Sequence, residues 1–291
     1  MPARLGKTRI GISGWRYAPW RGVFYPDDLP QRDELHYASR QFNTIEINGS
    51  FYSLQNPANY QRWYEHTPRG FVFAVKAPRY VTHIKRLRNA EQGLANFFAS
   101  GVLALKEKFG PILWQLPPSL RYEEEKLESF LMQLPRDSEA LAAMAREHDG
   151  TIEKTIVTAD RKRPIRHAME VRHASFVNET FIAQLRRHDV ALVVADTAGR
   201  WPFLEDVTAS FMYLRLHGDK ELYASGYSNA ALNRWGKHID AWRKGSEPKD
   251  ATRCSDAKPR KRASRDVYCY FDNDTKVKAP FDARKLAEKL V

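Results

Sequence analysis

Short apolar runs alternate along the chain with longer amphipathic segments. Eight of these runs are rich in β-branched, aromatic or aliphatic residues and are typical of β-strands. They cover residues 9–13, 44–48, 72–76, 112–115, 168–172, 191–196, 211–217 and 267–272. Between them, apolar residues recur every three or four positions, which predicts helices with one buried face.

The order of these segments predicts the fold class. Strands that alternate with helices form α/β folds with a parallel sheet, and eight such strands in 291 residues favour a (β/α)8 TIM barrel. An open doubly wound sheet is less favoured, because no GxGxxG sequence follows the first strand. We therefore expect residues 1–291 to form a single TIM-barrel domain.

Two helix starts and two irregular connections can be predicted within this frame. Asn56 before Pro57, and Asn89 three residues before Gln92, are typical of helix N-caps. Residues 135–167 form a long connection with an extra helix predicted around 140–148. Residues 198–206 have only a weak helical pattern, so this connection is expected to be irregular.

Each predicted strand ends in polar side chains, and the carboxyl ends of barrel strands surround one mouth. Because successive strand residues point to opposite faces, residues two apart share a face. Sets that share a face are Glu46 and Asn48, Glu170 and Arg172, and Tyr213, Arg215 and His217. The other strands end in Ser13 with Trp15 close behind, Lys76, Gln115, Asp196 and Asp272.

These side chains predict a ligand-binding cup at the mouth. An inward-facing Arg215 would be costly to bury alone, so we expect Glu46 and Glu170 to pair with it. The predicted catalytic residues are Glu46, Lys76, Glu170, Asp196 and His217. The predicted substrate-binding residues are Ser13, Trp15, Asn48, Tyr52, Gln115, Arg172, Tyr213, Arg215, Asp272 and Asn273.

Eight short motifs resemble those of the domain of unknown function 72 family, also called YecE-like. They occupy residues 11–15 (GISGW), 24–26 (FYP), 46–48 (EIN) with 51–52 (FY), 73–78 (FAVKAP), 115–118 (QLPP), 170–173 (EVRH), 213–218 (YLRLHG) and 270–274 (YFDND). The resemblance spans almost the whole chain and implies a TIM barrel. It implies no particular reaction, because the family is named for lacking an established activity.

The charge of the chain is uneven. The formal net charge is +12, and residues 243–265 hold nine Lys or Arg against three Asp or Glu. This stretch has no apolar periodicity and precedes the last strand, so we expect a basic, mobile surface insertion. The alternative is a tether for nucleic acid.

The cysteine count and the hydropathy of the chain limit the kinds of site and the cellular compartment that we expect. Only Cys254 and Cys269 are present, which excludes a disulfide framework and a four-cysteine zinc site. The chain shows neither a signal-peptide core nor an apolar stretch of 18 residues. We expect a cytoplasmic protein without a membrane partner.

Three functions remain open at this stage. The first is an enzyme that acts on a small anionic metabolite, a carboxylate or a phosphate, by acid/base chemistry without a cofactor. The second is a divalent-metal-dependent enzyme, because strand ends in the order Glu170, Asp196, His217 and Asp272 resemble the metal site of xylose-isomerase-like sugar isomerases and epimerases. The third is a non-catalytic protein that binds nucleic acid or a nucleotide through residues 243–265 and the aromatic-rimmed cup.

Overall fold

A computed structural model describes residues 5–290. Eight parallel strands close into a barrel in sequence order, with helices around it, so the chain is a single TIM-barrel domain as predicted. The strands are β1 (Thr8–Ser13), β2 (Thr44–Ile47), β3 (Val72–Lys76), β4 (Phe109–Gln115), β5 (His167–Glu170), β6 (Ala191–Asp196), β7 (Phe211–Leu216) and β8 (Asp266–Phe271). Every predicted strand is present. Four of them end one or two residues earlier than predicted, which places Asn48, Arg172, His217 and Asp272 at the start of the mouth loops.

The helices flank the strands, most of them on the outer side of the barrel. They are α1 (Glu34–Gln41), α2 (Gly49–Tyr52), α3 (Pro57–Glu65), α4 (Glu91–Ala99), α5 (Glu124–Gln133), α6 (Ser138–Arg146), α7 (Glu179–Arg187), α8 (Asn229–Arg243) and α9 (Ala279–Glu288). Within residues 5–290, no helix is long and apolar enough to cross a membrane.

The local predictions have mixed outcomes. The side chain of Asn56 caps α3 by accepting a 3.0 Å hydrogen bond from the amide of Asn59. The prediction for Asn89 is wrong, because α4 begins at Glu91 and Asn89 takes a left-handed turn conformation with φ +46°. The extra helix is present as α6, and residues 197–210 contain no helix.

Small and large side chains fill the barrel interior together. Alanines from β3, β5 and β6 face aromatic rings from β7 and β8, so the centre is a packed core rather than a pore. The Tyr213 and Tyr270 rings, for example, lie 5.1 Å apart. The inner residues are Ala74, Leu113, Ala168, Ala191, Val193, Ala195, Phe211, Tyr213, Tyr268 and Tyr270. This layer forms the floor beneath the mouth.

The basic segment, residues 243–265, lies at the amino ends of the strands, opposite the mouth, because it connects the end of α8 to the start of β8. Its middle is held by the connection between β6 and β7: the amides of Cys254 and Ser255 donate to the buried Asp206 carboxylate, at 2.8 and 3.1 Å. The amide of Thr252 donates to Glu205 at 2.9 Å. Mobility of the segment stays a prediction.

Candidate functional site

Arg215 is the centre of the mouth. Its side chain is buried, and its Nη1 donates to Glu170 Oε2 at 2.8 Å. Its Nη2 donates to Glu46 Oε1 at 2.9 Å and to Asp272 Oδ2 at 2.8 Å. The predicted pairing of Arg215 with Glu46 and Glu170 is confirmed, and Asp272 is a third partner. We call Arg215 with these three carboxylates the arginine cluster.

The cluster fixes the charge of three of its members, Glu170, Asp272 and Arg215. Burial alone would raise the pKa of Glu170, but Arg172 and Arg215 hold that pKa well below its usual range. Burial would likewise raise the pKa of Asp272, and Arg215 and His217 lower it instead. Burial would lower the pKa of Arg215, but its three carboxylates raise it far above its ordinary value. These groups therefore carry fixed charges across the physiological pH range.

Glu46 is bound on both oxygens. Its Oε1 accepts from Arg215 and from the Ser13 hydroxyl, and its Oε2 accepts from Tyr213 Oη at 2.5 Å. Asn48 Nδ2 donates to Ser13 Oγ at 2.8 Å, which holds that hydroxyl in turn. Glu46 is fully buried, so it supports the site from below.

A cavity of about 870 Å³ lies above the cluster at the mouth. Aromatic rings, polar groups and cations line it, including the predicted Trp15, Asn48, Tyr52, Lys76, Gln115, Arg172 and Asp272. The Trp15 and Trp63 rings pack edge to face at 5.3 Å and form one wall. The volume is sufficient for a metabolite of ordinary size.

Lys76 is a cation of the cavity that has no partner within residues 5–290. Its ammonium makes no ion pair or hydrogen bond there, and it lies 4.3 Å from the centre of the Phe51 ring. The residue is only 7% exposed. Burial first, and then the charge of Arg215, lowers its pKa to about 8. A ligand anion is the partner that this ammonium lacks.

Arg172 is held in place by neighbours on two sides. Its Nε donates to Glu170 Oε1 at 2.7 Å, and its guanidinium stacks 3.8 Å from the centre of the Trp201 ring. Its Nη2 is 3.5 Å from the hydroxyl of Tyr223, another cavity residue. The stacked guanidinium keeps a fixed orientation at the cavity edge.

Sequence reasoning missed several titratable groups of the cavity, among them His83 and Asp274. His83 lines the cavity; burial first, and then Lys76 and Arg172, lowers its pKa to about 4. Asp274 also lines it, and burial first, and then Asp272, raises its pKa to about 6. Asp274 could have been found, because it lies two residues after Asp272. The π-helical turn that presents His83, Tyr80–Ile84, has no simple sequence signal.

Two predicted residues belong neither to the cavity lining nor to the arginine cluster and the side chains that contact it. Asp196 accepts a 3.1 Å hydrogen bond from Tyr227 Oη, and Asn273 Nδ2 donates to Ser225 O and to Asp282 at 2.9 Å. Both have neighbours that point into the barrel: Ala195 belongs to the inner layer, and Asp272 reaches Arg215. Alternation then turns Asp196 and Asn273 away from the interior. Asn273 tethers the loop after β8.

The four residues of the metal hypothesis do not assemble into a ligand set. His217 Nδ1 lies 3.1 Å from Asp272 Oδ2, yet the two are misaligned for a hydrogen bond. Oxygens of Glu170 and Asp272 are taken by arginines, and Asp196 bonds elsewhere. Across residues 5–290, no three His, Cys, Asp or Glu side chains are placed to hold one metal ion.

The chain is similar in sequence to known proteins. The family described as "protein of unknown function DUF72" matches residues 9–291. The chain belongs to this family. Among curated relatives, the UPF0759 protein YunF of Bacillus subtilis is 27% identical over 123 residues, and the UPF0759 protein YecE of Escherichia coli K12 is 29% identical over 127 residues. These matches cover 40% and 43% of this chain, and 43% and 44% of the length of the two relatives.

Solved DUF72 structures share the fold. One from Thermotoga maritima has a TM-score of 0.72 at 23% identity, over 98% of this chain and 99% of that one. One from Enterococcus faecalis has a TM-score of 0.67 at 14% identity, over 97% and 95%. At these identities the likeness establishes the barrel and no activity.

The motifs that carry the DUF72 resemblance meet at the arginine cluster. GISGW contributes Ser13, EIN contributes Glu46, EVRH contributes Glu170, YLRLHG contributes Arg215 and YFDND contributes Asp272. A sixth motif, FAVKAP, places Lys76 in the cavity above them. These six of the eight motifs are scattered along the chain but form one site at the mouth.

Proposed function

We propose that this DUF72 protein is an enzyme that binds a small anionic metabolite in the mouth cavity and transfers a proton to or from it. The observation that carries this proposal is Lys76, a buried ammonium that reaches the cavity and has no partner in residues 5–290. An unpaired buried cation is costly unless a ligand supplies the missing anion.

Four cations of the cavity are available to a carboxylate or a phosphate. Lys76 is buried, Arg172 is stacked at the cavity edge, and Arg16 and Arg79 are more exposed. Arginine and lysine together suit an oxyanion that accepts several hydrogen bonds. The negative cluster below limits how far the ligand anion can descend, because Glu46, Glu170 and Asp272 repel it.

Two cavity groups can exchange protons near neutral pH. The pKa of Lys76 is about 8 and that of Asp274 is about 6, so one is largely protonated and the other largely ionised at pH 7. Groups with pKa values near the working pH are the most effective general acids and bases. We assign Lys76 the acid role and Asp274 the base role, with Asp272 as a fixed negative charge beside them.

The test begins with binding. A panel of phosphorylated and carboxylated metabolites is screened by thermal shift against the wild type, Lys76→Met and, as a matched control, Lys258→Met in the basic segment. We expect binders whose stabilisation is lost in Lys76→Met and kept in Lys258→Met. If every binder stabilises the Lys76→Met protein equally, the cavity assignment is wrong.

Proton transfer is then tested on each binder. The binder is incubated with the protein in D2O, and loss of a proton signal or appearance of product is followed by NMR. We expect exchange or turnover with the wild type and a strong reduction with Asp274→Asn. Binding without any exchange or product would show a binding protein instead.

A further inference from the structure

Exposed apolar side chains gather at one place beside the mouth. Eight large hydrophobic residues are exposed in the part of the chain that is described, and four of them line a single groove of about 400 Å³. These four are Tyr52, Leu54, Tyr80 and Ile84, and Ile84 is 59% exposed. A cluster of this kind is typical of a binding surface, whereas single exposed apolar residues are ordinary.

The groove adjoins the charged cavity. Phe51, Tyr52, Arg79 and Ile84 line both. The Phe51 ring is the closest link, because Lys76 Nζ lies 4.3 Å from its centre and the same ring borders the groove. The unpartnered ammonium and the apolar groove are therefore separated by about the width of one aromatic ring.

The loop between β3 and α4 builds the groove with unusual backbone. It contains the π-helical turn Tyr80–Ile84, followed by Arg86, Leu87 and Asn89 in left-handed conformations, with φ of +53°, +68° and +46°. Such conformations cost about 1 kcal/mol or more each and gather at ligand sites. The Tyr80 ring covers Gly93 of α4, where a Cβ would lie 3.1 Å from Tyr80 Cδ1.

We propose that the groove binds the apolar part of the molecule whose anionic group pairs with Lys76. The ligand class is then an amphiphilic anion: a carboxylate or phosphate that carries an alkyl or aryl chain. This inference rests on the proposed function for the anionic end of the ligand. The continuity of the groove with the cavity and the position of Arg79 between them support one ligand that spans both.

The test compares ethyl phosphate with octyl phosphate, below its micelle concentration, by calorimetric titration of the full chain. Each methylene removed from water strengthens binding by roughly fourfold. We expect octyl phosphate to bind the wild type at least about 10-fold more tightly than ethyl phosphate. In the Leu54→Ser/Tyr80→Ser variant, which changes two side chains that line the groove and not the cavity, this advantage should fall below about threefold, with the affinity for ethyl phosphate unchanged.

Met132→Ser is the matched control, because Met132 is 72% exposed on α5, away from the groove. It should keep the full chain-length advantage. Equal binding of the two phosphates by the wild type, or an advantage that survives in the double variant, would overturn the groove assignment and leave the proposed function standing. Phosphate binding that is unchanged in Lys76→Met would instead overturn the anion site and hence the proposed function.

Discussion

The two ends of the barrel use positive charge in opposite ways. At the mouth, Arg215 is buried among three carboxylates, and Lys76 is buried without a partner in the part of the chain that the structure describes. At the amino end, several basic side chains are exposed and make no ion pair within residues 5–290: Lys249, Lys258, Arg260 and Lys261. Much of the net charge of +12 therefore belongs to a solvated surface, whereas the candidate site contains a few enclosed charges.

This difference has an energetic basis. Exposed charges are hydrated and screened, so changing one alters stability little. Enclosed charges depend on their protein partners, and removing one partner leaves the others without compensation. The contrast between the ends can be tested by equivalent changes at each.

The largest effect is expected from Arg215→Met. This change leaves Glu46, Glu170 and Asp272 close together without their shared cation, and we expect a loss of about 3–5 kcal/mol in the free energy of unfolding. Urea denaturation measures it, and Arg260→Met at the exposed end should stay within about 0.5 kcal/mol of the wild type. Equal effects at both ends would contradict the comparison. Arg215→Met and Glu170→Gln should also abolish cavity binding.

The next effect concerns the pH dependence of stability. The folded-state pKa of Lys76, about 8, is below the ordinary value of 10.5, so the folded chain binds fewer protons than the unfolded chain between these pH values. Below pH 8, burial of this charge therefore lowers the free energy of unfolding by its full amount. As the pH rises toward 10.5, the free energy of unfolding increases again, by about 3 kcal/mol. Lys76→Met removes the effect, so its stability advantage over the wild type should shrink across this range. An advantage that does not change with pH would contradict a buried, protonated Lys76.

A smaller effect is expected at the amino end. Replacing Lys249, Lys258, Arg260 and Lys261 by Ser should weaken any binding of heparin or DNA and flatten its salt dependence, by about 0.9 in log–log slope for each phosphate of duplex DNA that these side chains neutralise. Affinity for a cavity ligand should not change. This fourfold variant is more specific than a deletion of residues 246–264. The deletion would also remove the hydrogen bonds that the amides of Thr252, Cys254 and Ser255 donate to Glu205 and Asp206. If the fourfold variant no longer bound the cavity ligand, binding at the mouth would depend on the amino end, and the comparison would be wrong.

The smallest effect is expected from Asp196→Asn. Asp196 points away from the interior and bonds Tyr227, so affinity for a cavity ligand should change less than threefold. A matched Asp272→Asn change, inside the arginine cluster, should change it far more. Isothermal titration of both variants measures this, and equal losses would restore Asp196 to the site.

Most of the barrel could be predicted from the sequence, because strand-forming runs and helix periodicity are local signals. The pairing of Arg215 with Glu46 and Glu170 followed from one physical argument, that a buried guanidinium needs carboxylates. The prediction for Asp196 used only its position at the end of β6 and ignored the alternation of side chains along the strand. Val193 and Ala195 point inward, so Asp196 points away from the interior.

Other parts of the site had no usable local signal. Trp63 reaches the cavity from α3, and His83 reaches it from a π-helical turn, so their placement depends on how helices and loops pack on the barrel. The low pKa of His83 depends on burial and on Lys76 and Arg172, which are distant in sequence. The unpartnered state of Lys76 is likewise visible only once its neighbours are in place.

The arginine cluster also constrains the order of folding. Arg215 of β7 bonds to side chains of β1, β2 and β5 and to Asp272 just after β8, and its partner Ser13 is 202 residues away in sequence. These bonds require a closed barrel, because in a half-assembled chain the same charges would remain in water. The cluster thus links closure of the barrel to assembly of the site, and neither half of the chain can form the site without the other.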